Sequence, residues 1–472
     1  NVQVSAARKL RGPLSVRQPL MWCLGAYFCL LVSLTWARPL WLDEILQLII
    51  TREPDLGRRF AMIRETPGAV PVGYEIQRLT LAALGYSTFS ARLPSELFSV
   101  LALAGILLVA REIRLHSLVF LGLLWAFIPL QLRYAVEGRP YSESLFFSIA
   151  STLFLFRLIR EPRMLWALFY AASVVAGIYT QPYSLLLQIG LVIPLLLDLR
   201  TSTTRRTLLI CFVSLVGAGL LFAPWLLWSG HQWSVYAEQT GQNLHMNAKL
   251  PLLLLREFSG GGYVCSLSLL GFVAVGCTSQ RMSVTVKYQL LGGTISCVLL
   301  AIVGDLMFNY FFAIRQVIFV LVPLCLLAAE GWTQAAARWG AYPRVLLLVP
   351  LIISALVKDA RYFRDHSENW ASAAQRLSLK AENGCVLYPP RDSSQFYEFF
   401  QPRLRWQECQ PDRYAEHILV PVTKYTPAEG VRQTSERLAL MGYQYQAEEV
   451  HPIGETIEIH EYKKDHAPGR TE

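Results

Sequence analysis

Charge is scarce in this chain. Lys, Arg, Asp and Glu make up 16% of its 472 residues, where a soluble chain of this length carries about 25%. A Walker loop, a dinucleotide fingerprint and any Cys/His cluster at metal-ligand spacing are missing too, and the five histidines of the tail (His366, His417, His451, His460, His466) fit no zinc motif. A nucleic-acid partner is excluded by where the positive charge lies. Residues 359–472 hold 14 Lys+Arg against 18 Asp+Glu, a balance of −4, so an excess of +13 belongs to the remainder rather than to a soluble basic face. Cysteine builds no framework, since seven of the nine lie in or beside apolar runs and read as small buried hydrophobes. Cys385 and Cys409 stand apart in the polar tail, where an oxidising compartment permits a bridge, and we expect that disulfide.

What the chain has in abundance is apolar length: 53% hydrophobic residues and a mean hydropathy of +0.36. Repeated runs of membrane-spanning length predict a polytopic α-helical membrane protein. The expected spans are 19–37, 93–110, 117–132, 141–157, 164–180, 183–199, 207–227, 263–280, 287–306, 315–332 and 342–358, about 11 transmembrane helices. The first run lacks a small-residue cleavage site and reads as a retained anchor; opening on Asn1, the chain reads as a fragment or a renumbered sequence. Arg8, Lys9, Arg11 and Arg17 precede the first span, which keeps that end cytoplasmic. Eleven spans then place the tail outside, and the inner gaps carry basic residues (Arg111, Arg157, Arg205, Lys287 and Arg338 among them), as orientation requires. Two domains follow: 1–358 in the membrane and 359–472, a small α/β soluble domain on the outer face.

Against this background Asp43-Glu44 is an anomaly, an acidic pair directly after the first span. Carboxylates near the hydrocarbon boundary are costly and are kept for chemistry, ions or partners, although an acidic first turn also stabilises a helix by about 1 kcal/mol. The first outer loop, about 38–92, holds Arg38, Arg52, Arg58, Arg59, Arg64, Arg78 and Arg92, and Arg133, Arg139 and Arg315 follow at later outer positions. Singly these pair with Glu53, Asp55, Glu65 or Glu75, or with lipid headgroups; as a set they argue for an anion, which the planar Arg fork suits. VPVGYEIQRLTLAALG (70–85) is too polar for a comfortable span and reads as an interfacial helix, with a twelfth span as the alternative left open.

These segments, in this order, resemble a known group. The acidic pair, then FSARLPSELFSVLALAGILL (89–108), RYAVEGRPYS (133–142), GIYTQPYSLLL (177–187), APWLL (223–227), FFAIRQVIFVLVPLCLLAAEG (311–331) and HSENWASAAQRL (366–377) are similar to the GT-C glycosyltransferases that use polyprenyl-phosphate sugars. Protein O-mannosyltransferases and lipid A aminoarabinose transferases are among them. The chain departs from the pattern in ETPGAVPVGYE, which lacks the His or Lys before a Pro-Pro pair, and at Ala371, where Arg often follows the Trp. Both departures bear on donor and acceptor identity.

The resemblance implies a GT-C type fold with interfacial helices in the first outer loop, and an enzyme that moves a sugar from a polyprenyl-phosphate donor to an acceptor hydroxyl at the outer face. The acceptor is left open between a glycan, a lipid and a protein; mannose and arabinose are the sugars implied. The setting is the lipid bilayer, a bacterial inner membrane. One base and no protein nucleophile means a single displacement with inversion. Asp43 matches the proposed base, with Glu44 in a supporting contact. Arg92, Glu137, Arg139, Tyr141 and Arg315 are the substrate-binding candidates, Arg315 being the preferred phosphate ligand. An aromatic belt also explains Tyr134, Tyr141, Tyr183 and Trp225. No cofactor is certain; a divalent cation, Mg2+ or Mn2+, held by Asp43, Glu44 or Glu137 is left open. The competing readings are a transporter or flippase for lipid-linked sugars, which calls for ionisable residues midway along spans, and a non-catalytic membrane component. In the tail we expect helices over 368–382, SQFYEFF and PAEGVRQTSERLALMG, and strands at CVLYPP, RLRWQE, HILVPV, 444–450 and 455–462.

Overall fold

In lipid every backbone N–H and C=O must be satisfied within its own segment, so apolar runs become helices. The computed structural model describes residues 14–66, 68–199, 201–240, 250–308, 314–340, 342–365, 368–390, 394–409, 415–446, 451–453 and 456–464. The chain packs as two units. One takes the residues up to Thr35 and Ile50–Phe363, and the other takes Trp36–Ile49 with Arg364–Glu472.

In the first unit helix covers each of the eleven apolar runs, from Leu14–Thr35 to Tyr342–Arg364. Length sorts them. Thr88–Glu112, Tyr141–Arg160, Ser202–Gly230, Val284–Gly304 and Arg315–Trp339 are long and apolar enough to cross a membrane, and a bent pair makes six candidate spans among the described residues. The others are shorter or more polar: Met164–Ile178 has 15 residues, about 22 Å of helix against a core about 30 Å thick. Val119, Leu197, Leu220, Leu227 and Leu346 point outward and exposed, as lipid-facing side chains do.

The bent pair is Leu118–Phe127 and Pro129–Ala135, which meet at 63°. Pro129 has no N–H and pushes Ile128 into extended backbone, with φ −70° and ψ 125°. The Leu130 N–H released at the bend donates to Ser259 O at 3.0 Å. Gly260 makes that approach possible, because it sits at φ +73° and a Cβ there would lie 2.5 Å from Leu130 N. A second close approach joins Gly262–Cys277 to Leu321–Trp339: a Cβ on Gly276 would lie 2.1 Å from Leu327 O. Small residues of this kind let membrane helices pack backbone to backbone.

The structure buries Glu96 and Glu330 inside spans and Glu143 in the first turn of Tyr141–Arg160. One carboxyl does not spoil an apolar window, and two of these meet a hydroxyl: Thr35 Oγ1 donates to Glu96 and Ser279 Oγ to Glu330 Oε1, the latter at 2.5 Å. The first outer loop folds as Leu56–Glu65, whose N-cap Asp55 accepts from Arg58 N at 2.7 Å, and Pro71–Leu84, which starts on Pro71. A proline at the first helical position loses nothing, since its N–H would be unpaired there anyway.

In the second unit a mixed sheet runs β1-β2-β5-β3, with β4 also on β5. Cys385–Val386 (β1) lies parallel to His417–Thr423 (β2). Ile457–Lys464 (β5) is antiparallel to β2, to Tyr443–Tyr445 (β3) and to His451–Ile453 (β4). Ile418, Val420, Leu438, Tyr443 and Tyr462 pack as its core, and Cys385 and Cys409 form a disulfide. Among the described residues the helices Trp370–Lys380, Gln395–Phe400 and Ala428–Leu440 accompany it, and most of Leu42–Arg52 belongs to the same unit. RLRWQE is not a strand. Pro402–Trp406 is a 3-10 turn that buries Leu404 alone, a form suited to a segment opening on Pro. The CVLYPP strand stops after Val386, ahead of a Pro-Pro pair with no N–H to give a ladder. The expected 444–450 strand keeps only Tyr443–Tyr445, and 447–450 lie outside the described residues.

Candidate functional site

The site builds from the second outer loop. After Pro129–Ala135 the chain turns tightly, with Arg139 N donating to Glu137 O at 2.7 Å and Tyr141 N to Arg139 O at 2.8 Å. Ser142 Oγ donates to Tyr134 O at 3.0 Å, and the Tyr134 and Tyr141 rings lie 4.4 Å apart. Glu137 is buried and accepts from the Tyr362 hydroxyl. The Arg133 guanidinium lies over the Tyr362 ring at 4.6 Å, a cation–π contact. Tyr134 is within electrostatic reach of Arg133, Glu137, Tyr141 and Arg315. Glu137, Tyr141 and Arg315 each interact electrostatically with Tyr134, and Arg139 lies in the same turn as Glu137. Arg133 had been noted only as an outer cation, and Tyr362 was missed, hidden past the last apolar run in what read as polar tail.

The first loop frames this turn. Gln77 Nε2 donates to Ala91 O at 2.9 Å and to Gly138 O at 3.1 Å, while Thr51 Oγ1 donates to Gln77 Oε1 at 3.1 Å. Gly73 packs so tightly on Pro140 that a Cβ would lie 2.3 Å from its Cβ. Ser95 Oγ donates to Arg139 O at 3.0 Å. Val72 N–H reaches Tyr179 O at 3.2 Å, and Trp225 Nε1 reaches Ala69 O at 3.3 Å. In this way the GIYTQ and APWLL segments anchor the first loop.

The loop arginines divide. Arg58 pairs with Glu53 at 3.3 Å, Arg59 with Glu75 at 2.7 Å, Arg64 with Glu65 at 3.4 Å and Arg78 with Glu75 at 3.7 Å. Arg52 lies over the Tyr86 ring at 4.8 Å. Four of these arginines thus meet the carboxylates that the sequence offers them as partners. Arg92 is buried and donates through Nη1 to Thr35 O at 2.6 Å, where a cation suits the carboxyl end of a helix.

Asp43 and Glu44 belong to the second unit, in the first turn of the helix Leu42–Arg52. Asp43 is half-buried and Glu44 fully buried. Trp41 O accepts the first helical bond from Ile45 N at 3.1 Å, and Glu44 Oε2 reaches back to accept from Trp41 N at 3.3 Å. Glu44 is therefore a capping carboxylate of the kind found three residues into a helix. Leu42 N–H donates to Glu368 Oε2 at 3.3 Å. Burial works to raise the Glu368 carboxyl, but hydrogen bonds from Lys424, Tyr425 and Leu42 outweigh it and hold it below the ordinary carboxylate range. Among the described residues no three His, Cys, Asp or Glu side chains gather as a metal site.

Comparison with solved structures places the architecture. The chain is similar in fold to ArnT from Cupriavidus metallidurans bound to undecaprenyl phosphate, with a TM-score of 0.56 and 13% identity over 95% of this chain and 98% of that one. The apo state of the same protein gives the same values. The archaeal oligosaccharyltransferase AglB from Archaeoglobus fulgidus, in complex with an inhibitory peptide and a dolichol-phosphate, gives a TM-score of 0.49 and 10% identity over 90% of this chain and 72% of that one. The likeness is one of fold: a helical membrane architecture with a small carboxyl-terminal mixed sheet. Residues 66–228, about a third of the chain, match the family described as dolichyl-phosphate-mannose-protein mannosyltransferase. The matched stretch includes Arg92, Glu137, Arg139 and Tyr141 and leaves Asp43, Glu44 and Arg315 outside it. No curated protein matches the chain in sequence.

Proposed function

We propose that this chain transfers a sugar from a polyprenyl-phosphate donor to an acceptor hydroxyl, with inversion, at the outer face of a bacterial inner membrane. The observation that carries the reading is the tight turn that holds Glu137, Arg139 and Tyr141 together, with Arg315 in electrostatic interaction with the neighbouring Tyr134. In this reading all eleven helical segments cross the bilayer, shorter ones in bent or 3-10-extended form, with the amino end cytoplasmic, Pro71–Leu84 at the interface and 359–472 outside.

Asp43 is the base. As the acceptor oxygen attacks the anomeric carbon, its proton passes to the Asp43 carboxylate and the bond from that carbon to the phosphate oxygen breaks. The electron pair leaves with polyprenyl phosphate, whose added charge Arg139 and Arg315 neutralise. Guanidinium forks aimed at the departing oxygens contribute most where water is excluded. Glu137, fixed by Tyr362, orients sugar hydroxyls, and Tyr141 offers the sugar a ring edge. Arg92 holds the end of the first helix through Thr35 O.

The test is transfer of label from undecaprenyl-phosphate mannose, arabinose and aminoarabinose by the full chain in nanodiscs, with cell-envelope membranes supplying acceptors. Asp43→Asn should slow transfer by about 10²–10⁴-fold, and Arg315→Ala by about 10²-fold. Wild-type rates in Asp43→Asn would falsify the base assignment; no transfer from any of the three donors removes the proposed reaction.

A further inference from the structure

The first turn of the helix Leu42–Arg52 has an unusual supporter. A helix N-terminus leaves four N–H groups without intrahelical partners, and the residue at the cap normally supplies an oxygen. Here Trp41 holds the cap position and has no side-chain acceptor. Two carboxylates take over: Glu44 Oε2 accepts from Trp41 N at 3.3 Å, and Glu368 Oε2 accepts from Leu42 N at 3.3 Å. Glu368 comes from more than three hundred residues away and is 7% exposed.

Its other oxygen is fixed just as firmly. Lys424 Nζ donates to Glu368 Oε1 at 2.6 Å, and the Tyr425 hydroxyl donates to the same atom at 2.7 Å. Lys424 Nζ also lies over the Tyr425 ring at 4.9 Å. The carboxylate therefore has one oxygen for the helix and one for the turn that follows β2. A second grip lies nearby, where Arg38 Nε donates to Asp365 O at 3.1 Å and Arg38 Nη2 is 3.6 Å from Asp365 Oδ2. Together these contacts explain why Trp36–Ile49 packs with Arg364–Glu472.

We propose that Glu368 is a positioning residue, which pins the first turn of the helix Leu42–Arg52, and with it the Asp43 carboxylate, to the Lys424–Tyr425 turn. The proposal rests on the reading of Asp43 as the base. Asp43 follows Leu42 directly, so a tilt of the Leu42 peptide moves its side chain. A misplacement of about 1 Å at a reacting group costs about 10²-fold in rate, whereas donor affinity is set elsewhere. Glu368 then acts on turnover and leaves binding alone.

The experiment compares wild type, Glu368→Ala, Glu368→Gln and Asp43→Asn as full chains in nanodiscs, using whichever of the three labelled undecaprenyl-phosphate sugars the wild type transfers, together with hydrogen exchange. Glu368→Ala should lower kcat by about 10–100-fold with donor KM changed less than about twofold. Amide exchange should quicken over 41–46 and stay at wild-type rates in β2 and β5. Glu368→Gln keeps an acceptor for Leu42 N–H and should recover kcat to within about fivefold of wild type. A wild-type kcat in Glu368→Ala overturns the proposal. So does a KM that rises in step with the kcat loss, or faster exchange across the whole sheet that Gln does not repair. Full transfer by Asp43→Asn sinks the base assignment instead, and the exchange measurement still reports on the clamp.

Discussion

Arg58 and Arg59 are adjacent, carry the same charge and pair with the same kind of partner, yet they should differ sharply when removed. The Arg59 side chain is 1% exposed and grips Glu75 with two bonds, Nε to Oε1 at 2.7 Å and Nη2 to Oε2 at 3.3 Å, while Nη1 donates to Glu53 O at 2.6 Å. Breaking a buried pair from one side costs about 3–5 kcal/mol. Glu75 keeps 31% exposure and has Arg78 at 3.7 Å, so its stranded carboxylate finds water and a second cation, and Arg59→Met should cost about 2–3 kcal/mol. Arg58 is 73% exposed, and Arg58→Met should cost less than about 1 kcal/mol; its backbone bond to the Asp55 cap survives the change. The assay is chemical denaturation of the full chain in mixed micelles, with tryptic cleavage over 53–66 as a local readout. A cycle with Glu75→Gln should give a coupling above about 1 kcal/mol for Arg59 and none for Arg58. Equal losses from the two arginines, or additivity in the Arg59 cycle, would refute the argument.

Further outcomes are expected. Gly73→Ala drives a Cβ to 2.3 Å from Pro140 and should cost about 1–3 kcal/mol, with transfer activity falling alongside; an unchanged melting temperature would show that the loop yields freely. Glu368 carries a folded pKa depressed below 4.5, so its contribution is complete above 4.5 and disappears as pH falls through the folded value. Wild type should accordingly outlast Glu368→Gln at pH 7 and lose that advantage in acid, and an advantage that grows on acidification contradicts the sign. The Cys385–Cys409 bridge closes a loop with a sequence separation of 24, which corresponds to about 3 kcal/mol of unfolded-state entropy. Alkylation of the unreduced chain under denaturing conditions should leave both cysteines unlabelled, and reduction should lower the melting temperature.

The helices were legible because apolar runs leave lipid-embedded backbone one choice. Their lengths were less so: a hydropathy window does not see that Pro129 bends one run or that Ile193–Asp198 tightens into a 3-10 turn. The Glu137, Arg139, Tyr141 and Arg315 group was a candidate from charge at span ends and from family order. Its Tyr362 support could not, since that contact joins residues 225 apart. Pairings within the first loop were visible as alternatives, but only geometry tells Arg59, locked to Glu75, from an arginine open to solvent. Glu368 was hidden for the same reason as Tyr362, and because one acidic residue in HSENW looks like any surface charge.

The grouping of Trp36–Ile49 with Arg364–Glu472 bears on how such proteins are recombined. A chimaera cut after the last apolar helix exchanges only part of a module, because fourteen residues near the amino end share its packing. Grafts that carry a relative's carboxyl-terminal unit should therefore also carry that relative's counterpart of 36–49. Mismatched grafts should fail at the helix of the acidic pair before they fail at the sheet. The unit that folds together is discontinuous in sequence, and inheritance by domain shuffling has to respect both pieces.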